Sequence, residues 1–250
     1  MEHNSRSMSI RSILPALAIS VAVVMGTWLL AKTWRATHDV FQKISVTGVA
    51  QQNFESDRIV WQASFERRGT QINEAYALMK SDADVVRNYL LAHGIAAKEF
   101  VFDAVNIERE TKMVIVDNRS REEFVGYRLS QSLRVESNNL DKVEQLSREI
   151  SELLKGGMQI TSNNPSYYYS NLSTVKANLL SAASREGRER AQTIATNSGG
   201  KIGSLRKAEM GIFQITGQNS NDDYSWSGAF NTTSRFKTAS VTVKMEFDVE

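Results

Sequence analysis

Side chains able to do acid–base, nucleophilic or metal chemistry are few in this chain and widely scattered. It holds three histidines, His3, His38 and His93, and no cysteine. Their spacing makes no His-Glu-x-x-His metal helix and no plausible ligand cluster. Without thiols there is no disulfide, thiolate metal site, cysteine nucleophile or thiol redox couple. His93 reads as a helix-end residue near the C-terminal dipole. The carboxylate pairs Glu108/Glu110 and Glu122/Glu123 could share a cation, but they are expected to flank hairpin turns as solvated groups. No Gly-x-Ser-x-Gly elbow or phosphate-binding glycine loop occurs, and Gly199-Gly200 reads as a helix stop. The expectation is a protein that is not an enzyme, with no cofactor and no bound metal.

Binding chemistry has better candidates. The stretch "NNPSYYYSN" sets Asn164 and Pro165 before Tyr167, Tyr168 and Tyr169. On a strand over 167–172, Tyr167 and Tyr169 share one face and Tyr168 takes the other. Three readings stay open: packing at a half-buried strand end, a subunit interface, or a small-molecule pocket. Tyrosine suits the second and third, because it offers large contact area at low entropic cost. A polar segment, "GQNSNDDYSWSGAFNT" at 217–232, carries Tyr224, Trp226 and Phe230. A loop of that length without regular structure is often functional. Its aromatics are expected either to fold back over the core or to meet another chain.

Periodicity supplies the elements that must position these residues. In "IVWQASFE", Ile59, Trp61, Ala63 and Phe65 share one strand face. Residues 72–93 switch to a helical pattern through Ile72, Tyr76, Met79, Ala83, Val86 and Leu90, ending at Gly94. Strands resume at "FVFDAVNIE", "KMVIVDN" and "FVGYRLSQSLRVE", the last alternating at Val125, Tyr127, Leu129, Gln131, Leu133 and Val135. A helix over 140–154 buries Val143, Leu146, Ile150 and Leu153 and stops at Gly156-Gly157. A short strand near "MQIT" precedes the tyrosines. The longest helix, 173–197, carries a stripe of small residues, Ala183, Gly187, Ala191 and Ala195, which lets its backbone approach a sheet or another helix. Its opposite face, Arg185, Glu186, Arg188, Glu189 and Arg190, is expected to be solvated or to touch another subunit. Final strands are "LRKAEMGIFQIT" and "ASVTVKMEFDVE", with Val241, Val243, Met245, Phe247 and Val249 facing one way.

These elements predict an α+β fold: mainly antiparallel sheet with about three helices packed on one face, in one lobe or two. The chain's 250 residues allow a sizeable core. A formal charge of +2, with no basic patch, argues against a nucleic-acid partner. At the N-terminus the chain is uncharged from Ser12 to Ala31, long enough as a helix to span roughly 30 Å of bilayer. Arg6 and Arg11 precede the run, and Lys32 and Arg35 follow it. An uncleaved anchor is favoured over a signal peptide, because the "VMG" site at 24–26 would cut inside the apolar run. The expected organisation is a cytoplasmic tail 1–11, a transmembrane anchor 12–31, a linker 32–43 and a domain 44–250.

Several blocks in order, "ISVTGVAQQNFESDRIVW", "GYRLSQSLRVES", "QITSNNPSYYYSNL", "ASREGRERAQTIATNSGGKIGSL" and "GIFQITG", resemble the SIMPL-domain family. That resemblance implies an exported or membrane-anchored bacterial protein of the oxidative-stress-defence or periplasmic immunogenic type. It brings no catalytic residues. Some relatives form large ring- or channel-like oligomers, so it also implies a homo-oligomer. The expectation is a single-pass inner-membrane protein with its C-terminal domain in the periplasm or outside. It would self-associate through its aromatic loops and the long helix and act in envelope maintenance or oxidative-stress protection; the alternative is a binding module for a small ligand or another envelope protein.

Overall fold

The computed structural model describes the backbone of residues 10–38, 43–116 and 119–249, and side chains within 20–34, 43–115 and 119–249. Its architecture is α+β, with antiparallel sheets and four α-helices among the described residues. Two compact units divide the chain: residues 1–45, 191–206 and 246–250, and residues 46–190 with 207–245.

In the first unit, α1 (Ile10–His38) is a single helix that continues past Lys32, where a linker was expected. The rest of that linker, residues 39–42, lies outside the described residues. Val21, Val24, Trp28 and Leu30 are exposed along α1. Among the described residues no helix is long and apolar enough to cross a membrane. The side chains of 12–19, the first part of the expected span, lie outside that description. This unit also holds the end of α4 (Leu172–Asn197), with Ala191 and Ala195 fully buried. Gly199, at φ +82°, lets the chain turn there, and the Gly200 N–H donates to the Ala195 carbonyl at 2.9 Å.

The second unit is built on a six-stranded sheet. Its strands are β2 (Arg58–Gly69), β3 (Phe100–Phe102), β4 (Asn106–Val116), β5 (Arg119–Ser137), β6 (Gln159–Ser162) and β7 (Ser166–Tyr168). The order is β3-β5-β2-β6, with β4 on β5 and β7 on β2. Alternation on β2 puts Ile59, Trp61, Ala63 and Phe65 into the core opposite Leu129, Leu133 and Val135 of β5. α2 (Ile72–Ala92) and α3 (Leu140–Glu149) cover that face through Met79, Val86, Leu90, Val143 and Leu146. Each such side chain contributes about 2 kcal/mol on burial. The indole N–H of Trp61 is satisfied by Ser162 Oγ at 3.0 Å.

Several local expectations are corrected. Ile72 and Tyr76 are exposed, and Ala75 and Asp82 take the inward positions of α2. Ala75 lies against Gly69, and Asp82 holds Arg67 in an ion pair, so a charge sits on the apolar stripe. Val125 does not alternate: the register slips at Glu110/Thr111, leaving it as the extra residue of a bulge. The segment 100–108 is broken into β3 and β4. The helix from 140 tightens to a 3₁₀ turn over Ile150–Gly156, leaving Leu154 exposed. The carboxylate pairs lie within the β4–β5 ladder and not beside its turn. Arg128 pairs with Glu108 and Glu110, Thr111 donates to Glu122, and Lys112 pairs with Glu123.

A second sheet has the order β1-β10-β8, where β1 is Lys43–Glu55, β8 Ile202–Met210 and β10 Phe236–Val249. β9 (Gln214–Gly217) pairs antiparallel with β10. The expected strand at 205–216 is thus interrupted at Gly211–Phe213. At Ala183 and Gly187 the chain of α4 meets β1 at Gly48, backbone to backbone. A Cβ on Gly48 would stand 2.0 Å from the Ala183 carbonyl oxygen, and one on Gly187 2.1 Å from Met245 Cε. Glu186, expected to be solvated or in contact with another subunit, accepts the Val49 N–H at 2.9 Å. An acidic side chain thereby satisfies a strand donor.

Candidate functional site

The tyrosine run is woven into the second unit. β7 covers only Ser166–Tyr168, shorter than the expected 167–172, because the ladder to β2 pairs Tyr168, Tyr167 and Ser166 with Arg58, Ile59 and Val60. Tyr167 packs on the core cluster, and its N–H donates to the Thr232 carbonyl at 2.7 Å. Burial, reinforced by a hydrogen bond to Glu144, pushes its hydroxyl pKa up to about 12. Tyr169 lies 4.9 Å from the Phe54 ring at an interplanar 57°. Tyr168 takes the opposite face and lines a hollow of about 370 Å³ with Arg58 and Arg134. Pro165 is half-buried and Asn164 exposed at the turn into β7.

The loop after β9 is held differently. Its aromatics do not fold over the core: Trp226 is 95% exposed and Tyr224 65%, and Phe230 is half exposed. Polar groups brace the backbone instead. The Gln214 amide donates to the Ser225 carbonyl at 2.8 Å and accepts the Ala229 N–H at 2.6 Å. Asp222 accepts the Gly217 N–H at 2.8 Å and the Asn231 amide at 2.7 Å. Those donors, led by Gly217, hold its carboxyl below the usual range. Lys237, 1% exposed, donates to the Asn231 carbonyl at 2.6 Å. Burial lowers its pKa to about 8. A lysine inside the loop's base is a feature the sequence does not announce.

Beside this loop lies a groove of about 600 Å³, a size usual for small-ligand sites. Tyr224 and Trp226 rim it, Val49 and Ile212 add apolar wall, and Gln51 of β1 joins Ser240 and Thr242 of β10. None of its lining side chains is charged. At Gly211 the chain runs against β10, its N–H on the Thr242 carbonyl at 2.8 Å. A Cβ there would stand 2.3 Å from Thr242 Oγ1, so a larger residue would push the wall outward. Tyr168 is not part of this groove. Of the candidate interface and ligand residues singled out from the sequence, the groove gathers Tyr224 and Trp226 only. Gln51, Ser240, Thr242 and Ile212 escaped notice, because their nearness is set by the pairing of β1, β10 and β8.

A second cavity, of about 930 Å³, is rich in charge, but most of its charged groups are already engaged. Arg58 pairs with Glu136, and Arg235 with Glu55 and Asp141. Asp57 accepts the Ser170 N–H and hydroxyl, and Glu99 accepts from Ser137 and the Ala96 N–H. His93 caps α2, its Nδ1 bonded to the Tyr89 carbonyl at 2.8 Å. Among the described residues no group of three or more histidine, aspartate or glutamate side chains could hold a metal ion.

The fold and groove define a class: an antiparallel α+β domain carrying an uncharged, aromatic-rimmed surface groove. The family model of SIMPL, described as a protein of unknown function (DUF541), matches residues 44–249, and the chain belongs to that family. No curated protein matches it.

Proposed function

We propose that this chain is a non-catalytic, membrane-anchored envelope protein whose exported domain self-associates and contributes to envelope maintenance or oxidative-stress protection. The β4–β5 ribbon carries the assembly part of this reading. Beyond Tyr127, where pairing with β2 ends, β5 continues on β4 alone. Along that two-stranded arm Met113, Ile115, Phe124 and Val125 are exposed, Ile115 at 80%. A two-stranded ribbon with apolar side chains in water is marginal by itself and gains by being covered. A second copy offers the same arm, so a symmetric contact is available.

Anchoring is supported by the uncharged run Ser12–Ala31 and by the continuity of α1 through it. Thr27 and Thr33 turn their hydroxyls back onto helix carbonyls, Thr33 onto Leu29 at 2.9 Å. That disposition suits a helix surrounded by lipid. In this reading the short tail stays cytoplasmic and the large domain is periplasmic. The stress role rests on the family resemblance.

Light scattering of the full chain in mild detergent, across a dilution series, tests assembly. A discrete high-order mass is expected, and Met113→Lys with Ile115→Lys should reduce it without lowering the melting temperature. A monomer at every concentration would overturn the assembly reading. The second reading, a binding module for a small ligand, is favoured by the groove beside Trp226.

A further inference from the structure

We infer that the groove between the Trp226 loop and the β1–β10 surface binds a neutral oligosaccharide. The inference rests on the second reading, that this groove takes a small ligand at all. Its lining contains no charged side chain, so an anionic or cationic ligand would surrender its hydration without a counter-charge. A purely apolar ligand would suit the walls of Val49, Ile212 and Val241 but leave the groove's polar groups unanswered. The side chains of Gln51, Ser240 and Thr242 make no hydrogen bond among the described residues, nor do the Tyr224 hydroxyl and the Trp226 indole N–H. Covering them with hydrocarbon would leave each unsatisfied, at about 1–3 kcal/mol apiece.

A sugar ring meets both demands. Its C–H face lies on an indole or phenol ring, and its hydroxyls both donate and accept in the plane around that face. Trp226 and Tyr224 supply aromatic surfaces, while an amide and two hydroxyls from two neighbouring strands converge nearby. The loop is also built to keep the indole presented. Gln214, Asp222 and Lys237 hold its backbone by polar bonds, so Trp226 stands 95% exposed on a braced frame. A braced loop backbone lowers the ordering cost of binding relative to a mobile loop. The volume of about 600 Å³ is enough for a short oligosaccharide.

Saturation-transfer NMR on the full chain in lipid nanodiscs provides the test, with cellotriose and triacetylchitotriose as probes and cyclohexanol as an apolar ring lacking the hydroxyl array. Transfer to sugar ring C–H protons is expected, with affinity falling about tenfold in Trp226→Ala. A smaller fall is expected in Gln51→Ala. Both variants sit at the surface, and unchanged melting would confirm their folds. If cyclohexanol binds in a Trp226-dependent way and neither sugar does, the glycan assignment is overturned and the ligand-binding reading stands. If no probe responds to Trp226→Ala, both fall.

Discussion

The two aromatic segments of this domain have similar composition and opposite fates. Tyr167–Tyr169 and Tyr224–Phe230 each set large rings among small polar residues. The first run is held by a strand ladder to β2 and by contacts with Phe54, Glu144 and the core. The second has no ladder of its own beyond a single bridge, Phe230 to Ile215, and its frame is made by the side chains of Gln214, Asp222 and Lys237. Where main-chain pairing fixes the segment, Tyr167 and Tyr169 become packing, while Tyr168 on the other face lines a hollow. Where polar side chains fix it, its aromatics stay exposed.

The largest expected effect that would break this contrast lies in the buried lysine under the loop. Its folded value of about 8 lies below the ordinary 10.5, so between these pH values the unfolded chain binds more protons. The cost of burying the charge is therefore complete below pH 8 and relieved as pH rises towards 10.5. Its contribution to stability should rise by about 3 kcal/mol across that window. The difference in unfolding free energy between the parent and Lys237→Met, followed by urea denaturation against pH, should carry that slope. A flat difference would mean that Lys237 does not hold the loop as a buried cation.

Tyr167→Ala comes next. It removes a half-buried ring and empties the hydrogen bond to Glu144, which should cost about 2 kcal/mol by chemical denaturation. Tyr167→Phe keeps the packing and should recover most of that loss. A neutral Tyr167→Ala would return the tyrosine run to the pool of interface candidates and dissolve the contrast.

What was legible in advance follows the same division. Period-two alternation located β2 and β10, because each presents one face to a core, and 3.6 periodicity with glycine stops located α2 and α4. The start of the α2 stripe was misplaced because Ala75, not Tyr76, fits against Gly69. Apolarity alone does not see that choice. Gly187 announced a close approach, but its counterpart Gly48 was invisible until β1 was laid beneath α4. The groove was half legible: Tyr224 and Trp226 stood out by type, whereas Gln51 and Thr242 look like ordinary outward positions of polar-faced strands. Only sheet order brings them together. Braces such as Gln214 and Lys237 were equally silent, since polar residues near a turn suggest solvent before they suggest a frame.

The smallest effect sharpens the comparison most. Trp226→Ala removes one of the chain's four tryptophan side chains, at a position 95% exposed, with no packing to lose and no cavity to open. Its unfolding free energy should therefore change by less than about 0.5 kcal/mol, while the same truncation at the fully buried Trp61 would cost about 3–5 kcal/mol. Differential scanning calorimetry of Trp226→Ala beside Tyr167→Ala gives the decisive pair. A loss at Trp226 as large as at Tyr167 would mean that the indole supports the loop, and the free-platform account would fail. Stability untouched at Trp226 and lowered at Tyr167 would leave the exposed indole without a structural role and keep the contrast between the two segments intact.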